Sequence, residues 1–179
     1  GDHRDLHLSL RRQRQMCIRD RDKYPITRRG FQKLLDELLY LRRRVRPEVL
    51  DELAESRSYG YKIGNQQLMW AQERHAFVQG KIRDLERKLA QCEVVVGQRL
   101  IAKRVAFGTR ALVLNLDTGQ EACYQLVGPF ESDVSNGKIS ICSPIGRNLL
   151  GRTVGDIISV YTPGGLRTYK ILEIFLDYP

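Results

Sequence analysis

The chain has 179 residues, 30 Lys+Arg against 21 Asp+Glu, a formal net charge of +9 and 42% hydrophobic residues. That is apolar material for one or two modest cores and excludes wholesale disorder, while no apolar run approaches the roughly 20 residues of a membrane span and no apolar h-region marks a secretory signal. Cys17, Cys92, Cys123 and Cys142 stand far apart without a CxxC, so reduced cytoplasmic thiols are expected, and the basic excess points to an acidic partner, nucleic acid or an assembly that holds it.

Residues 1–22 hold six Arg and four acids, net +2, and show no clean helical or strand period. Met16-Cys17-Ile18-Arg19-Asp20-Arg21 resembles one reading frame of a transposon-end adaptor used in DNA library preparation. The segment is therefore expected to be non-native, fused to a gene start near Asp22, and is set aside. The alternative is a genuine basic arm that touches nucleic acid.

Residues 23–96 carry fifteen basic and ten acidic residues, net +5, the largest share of the excess. Thr27 is an expected N-cap. Leu34, Leu38, Leu41 and Val45 then recur at spacings of 4, 3 and 4, and Val49 and Leu53 continue the stripe. Pro47 should kink the helix or restart it. Leu68, Ala71, His75, Val78, Ile82, Leu85, Leu89 and Cys92 form a second seam at alternating spacings of 3 and 4, the heptad pattern. The break Ser58-Tyr59-Gly60-Tyr61-Lys62-Ile63-Gly64 joins the two, which predicts an antiparallel coiled-coil hairpin, a projecting arm with a tip. The plain alternative is two helices of a globular bundle. His75 on the seam reads as a satisfied structural histidine, and Met69 and Trp70 as packing residues between the helix ends.

Residues 97–179 change to strand-like patterning, with nine basic and seven acidic residues, net +2. Residues 110–116 and 121–127 flank the turn Asp117-Thr118-Gly119 and predict a hairpin. Asn136-Gly137 turns into a strand over 138–142. Ser143-Pro144 opens a short helix through Leu150, with Gly151 as its C-cap. Strands follow over 157–161 and 166–176, separated by Thr162-Pro163-Gly164-Gly165, which lacks phosphate-loop spacing. The fold class is thus α+β: an N-terminal helical hairpin, then a domain of about 80 residues with five strands and one short helix.

From Ile26 to Tyr178 the chain resembles the Gre family of bacterial transcript-cleavage factors. The resemblance is carried by Thr27-Arg28-Arg29-Gly30, Arg46-Pro47-Glu48 and Phe107-Gly108. It continues through Ile139-Ser140-Ile141-Cys142-Ser143-Pro144-Ile145-Gly146-Arg147, Leu149-Leu150-Gly151, Gly155-Asp156 and Thr162-Pro163-Gly164-Gly165. Each motif is weak alone; their order across two domains is specific. The resemblance implies a C-terminal FKBP-like domain that binds RNA polymerase and a coiled coil that enters the secondary channel. Two acids at its tip help hold a second Mg²⁺ in the polymerase active site. It implies an accessory factor rather than an enzyme, no cofactor bound by the protein alone, a cytoplasmic monomer, and RNA or DNA met only inside the polymerase complex.

The tip departs from that pattern. Where the family reads approximately Gly-Asp-x-x-Glu-Asn, this chain reads Gly60-Tyr61-Lys62-Ile63-Gly64-Asn65, with Tyr61 and Gly64 at the two acidic positions. Glu55 and Glu73 are too distant to substitute, and Lys62 opposes a cation. A regulator that binds polymerase without the usual cleavage stimulation is expected. Tyr59, Tyr61 and Lys62 either stack on a base or meet a phosphate, or simply form a stable turn. Arg42, Arg43, Arg44 and Arg46 either meet RNA or the channel wall, or form a solvated face. Cys142, Ser143, Pro144, Ile145 and Arg147 correspond to the family's docking segment, with Ile145 as an apolar knob. The competing functions are a cleavage-competent Gre factor, an FKBP-like prolyl isomerase, disfavoured because the C-terminal segment has no Trp to floor a proline pocket, and a free nucleic-acid binder.

Overall fold

A computed structural model describes residues 23–58, 66–95, 104–162 and 164–176. Its elements are β1 (Tyr24–Ile26), α1 (Arg28–Tyr40), a π-helical turn (Leu41–Val45), α2 (Arg46–Ser58), α3 (Gln66–Ala90), β2 (Cys92–Val94), β3 (Thr109–Asn115), β4 (Glu121–Val127), β5 (Lys138–Ser140), α4 (Pro144–Leu149), β6 (Ile157–Thr162) and β7 (Gly165–Leu176). Contacts divide the described chain into a helical unit, Phe31–Gln91, and a β unit formed by residues 23–30 with 92–176. The expected arm, 23–96, is therefore longer at both ends than the helical unit.

In the helical unit, α2 and α3 run antiparallel. Glu52 meets Arg74, and Arg42 of the π turn meets Glu86, so partners advance on one strand as they recede on the other. The two predicted seams close on each other. Leu38, Val49, Val78, Ile82 and Leu85 are buried together, with Leu34, Leu41, Val45 and Leu89 half-buried against them, and Leu53, Leu68 and Ala71 form a second cluster. The 3–4 spacing puts these side chains on one stripe of each helix, and burying the stripe holds the pair. His75 is half-buried on the seam with its Nε2 3.4 Å from the Gln79 amide nitrogen.

Pro47 stands in the first turn of α2, the restart position, directly after the π turn. Lacking an N–H, it cannot bond the Arg43 carbonyl, and its ring crowds that turn. The chain widens instead, with the Arg46 N–H reaching five residues back to the Leu41 carbonyl. One extra residue in the turn admits the ring.

The β unit is a five-stranded sheet in the order β5-β4-β3-β7-β6. The predicted hairpin pairs antiparallel from Arg110↔Gln125 to Leu114↔Glu121. β4 and β5 run parallel, because the stretch between them returns the chain to the start of the sheet edge. Alternation along β3 and β6 sends Ala111, Val113, Ile158 and Val160 inward, where Leu149 and Leu150 of the α4 segment cover them. A bulge opposite Leu112 and Val113 inserts Leu172 into β7, which is why its buried residues step from Ile171 to Ile174.

A second, two-stranded sheet pairs β1 with β2 in parallel, Tyr24↔Cys92 through Ile26↔Val94. The expectation that Cys92 closes the second helical seam is corrected here: α3 ends at Ala90 and Cys92 opens a strand. Val94 and Val95 are β-branched, and extended pairing suits them better than another helical turn.

Candidate functional site

The tip residues Tyr59, Gly60, Tyr61, Lys62, Ile63, Gly64 and Asn65 lie outside the described residues, as do residues 1–22. The other sites expected from sequence are described. Arg42, Arg43, Arg44 and Arg46 ride on and beside the π turn, all exposed. Among the described residues Arg42 alone of the four makes an ion pair, with Glu86.

The segment 142–147, expected from the family resemblance to dock, is built around Ser140 and Ser143. Ser143 caps α4, accepting the Gly146 N–H at 3.0 Å, while its own hydroxyl donates to the Ser140 carbonyl at 2.7 Å. The Cys142 N–H donates to Ser140 Oγ at 3.1 Å. Gly146 is forced by a close approach: a Cβ there would stand 2.1 Å from the Ser140 carbonyl oxygen. Pro144 occupies the first turn, where no N–H is needed. Ile145 and Cys142 are half-buried and pack against the sheet core, so Ile145 is less a free knob than expected. Pro144 and Arg147 are the exposed members of the segment.

A third cluster was not legible in sequence. The Glu131 carboxylate accepts the Thr27 N–H at 2.9 Å, the Thr27 hydroxyl at 2.6 Å and the Gly128 N–H at 3.0 Å. The Thr27 oxygen in turn accepts the Gly30 N–H at 2.9 Å, the expected N-cap. A Cβ on Gly30 would lie 1.9 Å from Glu131 Oε2, and one on Gly128 would lie 2.0 Å from the Pro25 carbonyl oxygen. Tyr24 packs edge-on against Phe130, ring centroids 5.0 Å apart. Thr27 and Glu131 are 104 residues apart, which is why no local pattern joins them. Burial of the nearby Cys92 thiol raises its pKa, and the Glu131 charge adds to the effect.

Met69 and Trp70 correct another expectation. They do not pack between helix ends but stand 58% and 70% exposed, because the seam passes through Leu68 and Ala71 on either side of them. Phe77, 63% exposed, was missed; its place between the seam positions His75 and Val78 was the available signal. Among the described residues no group of three or more His, Cys, Asp or Glu gathers to hold a metal ion, and no helix is long and apolar enough to cross a membrane.

Comparison with known proteins places both halves of the chain. Residues 24–94 match the family model described as "Transcription elongation factor, N-terminal", and residues 100–175 match "Transcription elongation factor, GreA/GreB, C-term". The transcription elongation factor GreA of Syntrophus aciditrophicus is 37% identical over 156 residues, spanning 87% of this chain and 97% of that protein. The chain belongs to the GreA/GreB family of transcription elongation factors. GreA of Caulobacter vibrioides NA1000 is 40% identical over 153 residues, 86% of this chain and 98% of that protein. Among solved structures, GreA factor homolog 1 of Thermus thermophilus is 27% identical, covering 85% of this chain and 98% of its own, with a TM-score of 0.40. GreA/GreB from Nitrosomonas europaea is also 27% identical, covering 86% and 99%, with a TM-score of 0.39. These superpositions are loose, and the assignment rests on the sequence matches.

The Gre motifs of this chain now have physical reasons. Thr27 and Gly30 seat the first turn of α1 against Glu131. Arg46-Pro47 follow the widened turn. Ser143-Pro144 and Gly146 form the capped, closely packed start of α4.

Proposed function

We propose that this elongation factor binds RNA polymerase through the α4 segment of its β unit, enters the secondary channel with the helical arm, and lacks the usual stimulation of transcript cleavage. The observation that carries the reading is the sequence Tyr59-Gly60-Tyr61-Lys62-Ile63-Gly64-Asn65, which holds no carboxylate. A hard divalent cation near phosphates needs oxygen ligands, usually carboxylates. Tyr61 and Gly64, at the positions where the family resemblance expects acids, cannot supply them, and Lys62 adds a repelling charge. The residues present do not fit a shared metal, so no catalytic step is assigned to this tip.

On this reading the chain is an accessory factor, cytoplasmic and monomeric, that binds no cofactor of its own and meets nucleic acid only within the polymerase complex. Pro144 and Arg147 present the exposed docking surface. Arg43, Arg44 and Arg46 are charges for phosphate or for an acidic channel wall, and their removal should weaken binding most at low salt.

The experiment is a transcript-cleavage assay on backtracked polymerase, with binding to core polymerase measured in parallel. The wild-type chain should bind and leave the RNA uncut. The double substitution Tyr61→Asp and Gly64→Glu should bind equally and restore cleavage in part. Efficient cleavage by the wild type would refute the reading.

A further inference from the structure

The two edges of the five-stranded sheet differ. β5 is 3 residues long, begins with Lys138 and is bridged at that residue by Asp133, so little of its backbone is left open. β6, at the opposite edge, is 6 residues long, and among the described residues it pairs only with β7. Its sequence Ile157-Ile158-Ser159-Val160-Tyr161-Thr162 holds neither a charge nor a proline, the usual guards of an open edge.

The ladder decides which backbone groups face that edge. The Ile171 N–H donates to the Asp156 carbonyl at 2.9 Å, so residue 171 turns its polar groups towards β6. Bonded and non-bonded pairs alternate along an antiparallel ladder, and the register runs on without a shift through Ile158↔Tyr169, Val160↔Arg167 and Thr162↔Gly165. Ile158, Val160 and Thr162 therefore bond to β7, and the N–H and C=O of Ile157, Ser159 and Tyr161 point outward. The side chains alternate in step. Ile157 is 56% and Tyr161 80% exposed, with exposed Ser159 between them, while Ile158 and Val160 are buried on the inner face.

This pattern is its own complement. When a second β6 is turned end for end about an axis at Ser159, Ser159 meets Ser159 and Ile157 meets Tyr161 on either side of it. Each outward N–H then faces an outward C=O, and an aromatic lies across from a β-branched side chain, a favoured cross-strand pair. Ile158 falls opposite Val160, so the inner apolar faces continue across the junction. A shift of register by one residue sets outward groups against groups that β7 already holds, and a longer shift leaves outward residues beyond the strand's end. Asp156 falls opposite Thr162 rather than a like charge, and its carboxylate is turned back to the Thr153 N–H at 2.9 Å.

We propose that β6 is a self-association edge: two copies of this chain pair through antiparallel β6 strands about Ser159 and join their sheets. One pair of short strands is a small interface, below about 1,200 Å² in total, so this dimer is weak and comes apart on dilution. The inference concerns the free chain at high concentration. The functional reading concerns the single copy on polymerase, and neither depends on the other.

The test follows the full chain from about 10 µM to about 1 mM by sedimentation and by amide hydrogen exchange. The average mass should climb from that of one chain towards that of two. Over the same range the Ile157, Ser159 and Tyr161 amides should gain protection, while those of Ile158 and Val160, already bonded to β7, should not. Ser159→Lys sets like charges face to face on the axis and should weaken association at least tenfold. Tyr161→Lys, at a position already 80% exposed, should do the same and serves if Ser159→Lys lowers the urea midpoint. A chain that stays monomeric throughout, associates equally well in both variants, or grows past the dimer overturns the inference. So does a free chain that is monomeric while a folded Ser159→Lys loses binding to core polymerase, because the edge then takes a strand of another protein. Failure of the wild type to bind polymerase would sink the functional reading and leave this one standing.

Discussion

Replacing Gly30 by alanine tests a contact within the β unit, between Thr27 and Gly30 on one side and the turn at Glu131 on the other. In an ordinary helix this change is favourable by up to about 1 kcal/mol, because alanine loses less backbone freedom on folding. Here the new Cβ would stand 1.9 Å from Glu131 Oε2 and 2.7 Å from its Cδ, so the carboxylate must leave. It then gives up most of its bonds to the Thr27 N–H, the Thr27 hydroxyl and the Gly128 N–H. Hydrogen bonds to a charged acceptor contribute about 1.5–3 kcal/mol each, and the half-exposed setting argues for the low end. Losing two of them costs about 3 kcal/mol, so Gly30→Ala should destabilise by about 2 kcal/mol after the helix gain. With Glu131→Ala already present only the Cβ of residue 131, 3.2 Å away, has to give, and Gly30→Ala should become close to neutral. The coupling between the two changes is then roughly 2–3 kcal/mol, well above the scatter of independent sites. Urea unfolding followed by circular dichroism gives the global values. Hydrogen exchange at the Thr27, Gly30 and Gly128 amides reads the site locally, which matters in a chain of two units. The same effect of Gly30→Ala in both backgrounds, or stabilisation of the wild type, would refute the reasoning.

Two further outcomes are expected. Gly146→Ala should cost about 3 kcal/mol or more, since its Cβ meets backbone rather than a movable side chain: the Ser140 carbonyl oxygen at 2.1 Å and the Ile141 Cα at 3.1 Å. Urea midpoints of the β-unit transition check this, and a loss no greater than that of Ser143→Ala, about 1 kcal/mol for a lost cap, would count against it. Asp156 accepts the Thr153 N–H at 2.9 Å, and that bond, helped by Arg152 and Arg104, holds its carboxyl below the ordinary value of 3.8. A carboxyl whose pKa is lowered by folding stabilises the native state above its unfolded pKa and stops doing so as pH falls through the folded one. The stability gap between wild type and Asp156→Asn should therefore be full near neutrality and close below the ordinary carboxylate range; a gap that does not change with pH would contradict the assignment.

Much of this architecture was legible in the residues themselves. The 3–4 spacing from Leu34 to Leu53 and from Leu68 to Leu89 names the buried stripe of each arm helix, because helical geometry alone puts those positions on one face. Alternation around Asp117-Thr118-Gly119 marks β3 and β4 for the same reason at period 2. Thr27 and Ser143 are caps because their oxygens reach N–H groups three residues away. The family, and the lack of Asp and Glu over residues 59–65, are likewise properties of the string. Other features depend on partners far off in sequence. Glu131 looks like any loop acid until the fold brings it to Thr27, and Gly30 and Gly128 look like ordinary glycines until their neighbours are in place. Pro47 was expected to kink the helix or restart it, and it stands in the first turn of α2 just after the widened turn, with Val45 and Val49 packed in the seam. Trp70 reads from its place as packing between the helix ends; only the seam running past it on both sides leaves the ring in water. Period and capping are decided within a few residues, so the sequence determines them alone. Which face is covered, which carboxylate finds a donor and which aromatic stays in water are decided by surfaces that meet only on folding.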